Sequence, residues 1–246
     1  NLVPLAAGAT AFGLDDVQAW VQRSAGGRVP IEVGAISIES PVRRRDHAYV
    51  EPAELRRISA WARSEGIGLH LDGARMFNLA QHTGVGVREH AALFDTVMVS
   101  LWKHFNSKAG AILAGEKALI DGLQGQRRMF GGSLPQAWPI TAPALRYAAG
   151  YERDYAAAWR AADDLFARLE ASGRFHVRRL PQGTCRVFVA VPGVDVEGFA
   201  GRAHDGGIDL AAHATDSGEL MLQVNTSLLR KPVEEVARVL LAASQG

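Results

Sequence analysis

The stretch GLHLDGAR, residues 68–75, decides the fold class of this chain. Its pattern predicts a short buried strand that ends on Asp72, a backbone turn at Gly73 and then the guanidinium of Arg75. Ligands of open α/β sheets bind beyond the carboxyl ends of the strands. The stretch therefore predicts a binding site around Asp72 and Arg75. A structural alternative stays open, in which Asp72 caps the following turn and pairs with Arg75.

Strands and helices alternate on both sides of this stretch. Apolar runs at residues 36–38, 95–101 and 109–114 predict further strands, the last of them buried. Helical spacing of apolar residues predicts helices at residues 14–23 and 52–65. Strands separated by helices of this length are typical of an α/β domain with helical crossovers.

The second half of the chain has a different pattern. Residues 135–169 are rich in alanine and aromatic residues and predict two long helices. Short strands and helices follow Gly173, which is typical of a small α+β domain. We therefore expect two domains, at residues 1–145 and 146–246.

Composition excludes several classes of protein. The 246 residues are 48% hydrophobic and 22% charged, values that exclude a disordered chain. The net charge of +1 provides no field to attract nucleic acid or anionic lipid, so we expect neither partner. The single cysteine, Cys185, cannot form an intramolecular disulfide, which favours a cytoplasmic location. No metal site is expected, because no third ligand is spaced to join His70 and Asp72.

Lys103 is a further candidate site residue, because it lies just past the end of the predicted strand at residues 95–101. Apolar surroundings lower the pKa of a lysine and favour its reaction with a carbonyl compound, although a solvated lysine is the common alternative. A reactive lysine and an aspartate for a pyridinium nitrogen are the two protein groups that pyridoxal phosphate needs most. Lys103 and Asp72 together therefore point to this cofactor.

Three segments together resemble the threonine aldolase and β-eliminating lyase family, pyridoxal-phosphate enzymes of amino-acid metabolism with the aspartate aminotransferase fold. The segments are HLDGAR at residues 70–75, DTVMVSLWK at 95–103 continuing into GAILAG at 110–115, and RRMFGG at 127–132. In the family the lysine precedes the last glycine of the second segment by twelve residues, which selects Lys103 over Lys108 (115 − 103 = 12). The resemblance implies a three-layer, mostly parallel sheet with helices on both faces (fold type I) and a small C-terminal α+β domain.

The resemblance also implies roles for four residues. Lys103 would hold the cofactor, Asp72 would pair with its ring nitrogen, Ser100 would contact its phosphate, and Arg75 would bind the substrate α-carboxylate. The implied reaction is cleavage of a small β-hydroxy or β-substituted amino acid, which in the aldolase case gives glycine and an aldehyde. Alternatives are β-elimination, transamination, racemisation or a catalytically silent relative. A homodimer or homotetramer is expected.

The chain departs from the family pattern at three places. The family's phosphate loop and ring-stacking residue have no counterpart here, and we expect them to lie upstream of Asn1. Val42 stands where aldolases carry a histidine, and His47 is five residues out of register. Residues 221–226 (MLQVNT) lack the arginine that the small domain usually supplies, so carboxylate binding would rest on Arg75 alone or the preferred substrate would differ.

Overall fold

The computed structural model of the chain describes residues 1–210 and 215–245. The chain divides into two compact units, Asn1–Tyr151 and Glu152–Gly246. No helix in the described ranges is both long enough and apolar enough to cross a membrane.

The first unit is built on a four-stranded sheet in the order β1-β2-β3-β4, in which β4 alone runs antiparallel to its neighbour. Its strands are β1 (Ala35–Glu39), β2 (Gly68–Asp72), β3 (Thr96–Ser100) and β4 (Ala111–Gly115). Its helices are α1 (Leu14–Ala25), α2 (Pro52–Ser64), α3 (Leu79–Thr83), α4 (Val87–Ala91), α5 (Lys117–Asp121), α6 (Leu123–Met129) and α7 (Trp138–Ala148). The predicted alternation of strands and helices is confirmed.

The core of this unit fixes the register of its parallel strands. Ile38 of β1 and Leu71 of β2 are paired neighbours, and both are buried. Pro52 begins α2, which buries a face spaced as a helix requires, including Leu55 and Ile58. Burial of each large aliphatic side chain contributes about 1.5–3 kcal/mol. A register slip of one residue would turn these side chains away from the core, so the packing specifies the strand pairing.

The strand expected at residues 109–114 forms, but the prediction that it is buried is wrong. Every residue of β4 is exposed, and Ile112 retains 51% of its accessible surface. The physical reason is that no described element covers either face of β4 well enough to bury its side chains, whereas β1, the other edge strand, is covered and buries Ile36 and Ile38. Exposed apolar side chains continue beyond it at Met129, Phe130 and Trp138.

The second unit contains a three-stranded antiparallel sheet in the order β5-β6-β7. Its strands are β5 (His176–Arg179), β6 (Arg186–Ala190) and β7 (Leu220–Gln223), and its helices are α8 (Tyr151–Ala171), whose first residue belongs to the first unit, α9 (Val196–Asp205) and α10 (Val233–Ala243). The central strand β6 buries Val187, Phe188 and Val189. The two long helices predicted for residues 135–169 are α7 and α8, and the small α+β unit is confirmed.

A glycine at the end of β2 lets the chain turn in a space with no room for a side chain. A Cβ at Gly73 would lie 3.0 Å from Sδ of Met76 and 3.1 Å from the carbonyl oxygen of Met98. We expect Gly73→Ala to lower the free energy of unfolding by about 1–3 kcal/mol, because the neighbouring atoms must shift. Urea unfolding measures this, with Gly34→Ala as the control, since a Cβ at Gly34 meets nothing within 4 Å. Equal effects of the two substitutions would contradict the prediction.

Candidate active site

The parallel strands bring their polar carboxyl ends to one edge of the sheet. Glu39 at the end of β1 is the register partner of Asp72 at the end of β2, and Asp72 in turn pairs with Met98 of β3. The backbone N–H of Ser40 donates to the carbonyl of Asp72 at 3.2 Å, which extends this pairing by one residue. Ser100 ends β3 at the same edge.

The loop after β2 holds Asp72 and Arg75 in a compact turn. The Asp72 carboxylate accepts a hydrogen bond from the N–H of Ala74 at 3.2 Å. The N–H of Met76 donates to the carbonyl of Gly73 at 2.8 Å and begins a short 3₁₀ turn. Asp72 therefore stabilises the turn that follows it, which is one of the two contacts that the structural alternative predicts. Its side chain and that of Arg75 are both half-buried, so both remain accessible to a ligand.

The turn after β3 presents Lys103. The N–H of Leu101 donates to the carbonyl of Gly110 at 3.0 Å, and the N–H of Phe105 donates to the carbonyl of Leu101 at 3.2 Å. Leu101 and Phe105 are buried, which fixes the turn at both ends. Nζ of Lys103 lies 5.3 Å from the centre of the Trp102 ring, and the lysine side chain is partly buried.

Two of the other predicted site residues, Arg75 and Asp72, lie close enough to Lys103 for their charges to act on it. Burial lowers the pKa of Lys103, and the positive charge of Arg75 lowers it further. The carboxylates of Asp72 and Glu39 act in the opposite direction, whereas Arg43 adds to the lowering. Because burial and the two arginines together outweigh the two carboxylates, a larger fraction of Lys103 carries a free amine at neutral pH than for an ordinary lysine. A free amine is the form that reacts with carbonyl compounds.

Sequence reasoning missed Glu39, and for the run Arg43–Arg45 it favours a solvated loop over a site for an acidic substrate. The N–H of Arg43 donates to Oε1 of Glu39 at 2.9 Å, so the loop after β1 lies against the strand end. The signal for Glu39 was its position at the end of a strand next to β2. Val42 pairs with Ala48 in this loop, and His47 is buried there at 1% exposure.

Ser100 offers a buried hydroxyl at the end of β3. The residue is 3% exposed, and its Oγ has no hydrogen-bond partner in the described parts of the chain. A buried hydroxyl left unpaired costs about 1–3 kcal/mol. Such an atom at the edge of a candidate site is suited to a hydrogen bond with a ligand oxygen.

His104, next to Lys103, was also missed. Its Nδ1 lies 3.0 Å from the hydroxyl oxygen of Tyr151, whose O–H donates to Oδ1 of Asn78 at 2.8 Å. Burial, together with the positive charges of Arg75 and Lys103, lowers the pKa of His104 to about 4. The carbonyls nearby favour the protonated form, but by less than these opposing effects. His104 is therefore neutral at neutral pH.

The lowered pKa of His104 predicts a loss of stability in acid. Between the ordinary value of 6.5 and about 4, the unfolded chain binds a proton at His104 that the folded chain does not. The free energy of unfolding therefore falls as the pH falls through this range, by up to about 3 kcal/mol in total. Urea unfolding at several pH values should show a shallower decline for His104→Gln. His176→Gln, at an exposed histidine, is the control and should keep the decline of the unaltered chain. An unchanged decline in His104→Gln would refute the expectation.

Comparisons with known proteins relate the chain to one enzyme family. The family model described as Beta-eliminating lyase matches residues 4–192 of the chain. Alanine racemase TOXG of Cochliobolus carbonum is 41% identical over 98 residues, which are 39% of this chain and 25% of that protein. The low-specificity L-threonine aldolase of Candida albicans is 33% identical over 111 residues, 45% of this chain and 29% of the aldolase. The matched segments thus cover less than a third of these relatives.

Solved structures share the fold over nearly the whole chain. A candidate aromatic amino acid β-eliminating lyase/threonine aldolase from Exiguobacterium sp. 255-15 superposes with a TM-score of 0.79 at 22% identity, covering 99% of this chain and 68% of that one. A candidate L-allo-threonine aldolase from Listeria monocytogenes EGD-E gives 0.75 at 24% identity, with 98% and 67% covered. The predicted fold class is confirmed by these likenesses.

Proposed function

This chain belongs to the β-eliminating lyase family, and we propose that it acts as a pyridoxal-phosphate-dependent lyase of the threonine aldolase type. Its substrate would be a small amino acid with a β-hydroxyl or another β-substituent, and aldol cleavage would give glycine and an aldehyde. The observation that carries the proposal is the site around Lys103, where burial lowers the pKa of the amine beside Asp72 and Arg75.

The residues of the sheet edge fit pyridoxal phosphate. Lys103 supplies an amine that would hold the cofactor, and Asp72 supplies a carboxylate that would pair with its ring nitrogen. The hydroxyl of Ser100, which is buried and has no hydrogen-bond partner among the described residues, would donate to a phosphate oxygen. When bound, the cofactor accepts the electrons of a bond that breaks at the substrate α-carbon.

The chain's own side chains would bind the substrate and move its protons. Arg75 presents a planar guanidinium, the group best suited to hold an α-carboxylate with two hydrogen bonds. Lys103 would also carry protons to and from the substrate α-carbon, because its lowered pKa keeps part of it in the free-amine form. The carboxylates of Asp72 and Glu39 favour its protonated form, so the amine can also hold a proton that it takes up.

Racemisation is the second candidate, and the similarity to a protein named alanine racemase favours it. Both reactions need the same lysine and aspartate, since the cofactor supports each of them. Product analysis separates the two: glycine and an aldehyde from a β-hydroxy amino acid support the lyase, and the enantiomer of the added amino acid supports the racemase. A catalytically silent relative would give neither product.

Replacement of Lys103 tests the cofactor site. We expect Lys103→Ala to abolish the visible absorption of the lysine–cofactor adduct and all lyase turnover, because the amine that forms the adduct is gone. Borohydride reduction followed by peptide mapping should locate the adduct on Lys103 in the unaltered chain. Lys108→Ala, five residues away on an exposed side chain, is the control and should keep the adduct. An adduct that survives in Lys103→Ala would refute this assignment.

Replacement of Arg75 tests substrate binding. Hydrogen bonds to a charged group contribute about 1.5–3 kcal/mol, so we expect Arg75→Gln to raise KM for the amino acid roughly 10- to 100-fold. The corresponding amine without a carboxylate should bind equally to both proteins, and it also reports any change caused through the pKa of Lys103. Arg88→Gln, an exposed arginine of α4, controls for the change in net charge. Equal weakening of the amine and the amino acid would exclude carboxylate binding by Arg75.

A further inference from the structure

A buried chain of hydrogen bonds lies beside Lys103 and takes no part in the function proposed above. It runs from Asn78 through Tyr151 to His104, with lengths of 2.8 Å and 3.0 Å. Asn78 is 2% exposed and Tyr151 is 6% exposed. All three residues belong to the first unit, although 73 residues separate Asn78 from Tyr151 in sequence.

Aromatic rings surround the hydrogen bonds between Asn78, Tyr151 and His104. The ring centres of His104 and Tyr151 lie 4.9 Å apart, and the ring of Phe105 contacts Tyr151 edge-on at 5.5 Å. Phe77 contacts Phe105 edge-on at 4.9 Å. Hydrogen bonds shielded from water in this way are costly to leave unpaired, so the arrangement is rigid.

The donors and acceptors assign one tautomer to His104. The single hydroxyl hydrogen of Tyr151 is donated to Oδ1 of Asn78, so the hydroxyl oxygen must accept from Nδ1–H of His104. The neutral ring then has its lone pair on Nε2, an atom that is buried without a hydrogen-bond partner in the described ranges.

The two ends of this series of hydrogen bonds, Asn78 and His104, belong to the two turns that build the site. At one end, the N–H of Asn78 donates to the carbonyl of Arg75 at 3.0 Å. At the other end, His104 directly follows Lys103. Tyr151 therefore links the turn that carries Arg75 to the turn that carries Lys103.

We propose that Asn78, Tyr151 and His104 are positioning residues, which hold the Lys103 turn against the Arg75 turn and keep water away from the lysine. This rests on the proposed function only in giving Lys103 a reactive role. Since burial is the main cause of the lowered pKa of Lys103, opening the turn to water would return that pKa toward its ordinary value. Less free amine would then be present at neutral pH.

Competitive acetylation of the complete, cofactor-free chain tests the proposal. A trace of acetic anhydride labels each lysine according to its free amine, and peptide mass spectrometry compares Lys103 with Lys117 and Lys231. We expect Tyr151→Phe, which removes the linking hydroxyl, to lower the relative labelling of Lys103 at neutral pH by about threefold or more, the change that half a pKa unit produces. The loss should fade at a pH high enough to deprotonate all lysines.

Ser59→Ala is the matched control for lost stability. Oγ of Ser59 donates to the carbonyl of Leu93 at 2.7 Å, and the residue is 2% exposed, so this variant also loses one buried hydrogen bond of the first unit. Both variants should unfold at a lower temperature, but only Tyr151→Phe should change the labelling of Lys103. Equal labelling in the two variants would overturn the positioning role.

A second pair of variants covers the case in which Tyr151→Phe does not fold. The side-chain amide of His104→Gln can still donate to Tyr151, whereas His104→Leu cannot. We expect Lys103 to be labelled more strongly in His104→Gln than in His104→Leu, and equal labelling would again overturn the proposal.

Nitrogen-15 spectra of the unaltered protein test the hydrogen-bond directions. They should show the proton of His104 on Nδ1, and a proton on Nε2 would overturn the proposal. Because none of these measurements uses the cofactor, failure of the unaltered chain to form the Lys103 adduct would refute the proposed function alone.

Discussion

The parallel register of β1 and β2 is the constraint on which the candidate site depends. Alternate residues of each strand enter the core, and the observed pairing buries Ile38 and Leu71 side by side. The same pairing sets Glu39 beside Asp72 one residue later. A slip by one residue would remove the aliphatic side chains from the core and separate the two carboxylates. The free energy that holds the core together therefore also places the charges of the site.

The charges of Glu39 and Asp72 raise the pKa of Lys103, but other effects lower it by more. Two nearby carboxylates would by themselves stabilise an ammonium and make the lysine an ordinary surface cation. Burial in the turn after β3 and the positive charge of Arg75 outweigh them, and the pKa of Lys103 is lowered. The reactivity of the amine is therefore a property of the turn as much as of the residue type. This is why the packing of residues 101–105 bears on the chemistry.

Sequence patterns predicted the features that depend on neighbours along the chain. Alternation of apolar residues located the strands, and the residues that follow the strand ends indicated Asp72 and Lys103 as candidates. Features that depend on distant partners were missed. The site role of Glu39 requires knowledge of which strand lies beside β1, and the contact between His104 and Tyr151 joins residues 47 positions apart. An apolar run likewise does not encode whether other elements cover it, as the exposed strand β4 shows.

Under the proposed function, the cofactor residues alone do not choose the reaction. Proteins named for racemisation and for aldol cleavage match this chain at 41% and 33% identity, and both reactions begin at the substrate α-carbon. Lys103 and Asp72 supply what the two have in common. The choice must therefore rest with groups that orient the substrate or take a proton from its β-hydroxyl. Val42 provides no such base, so an aldol cleavage here would depend on another group of the site or on water.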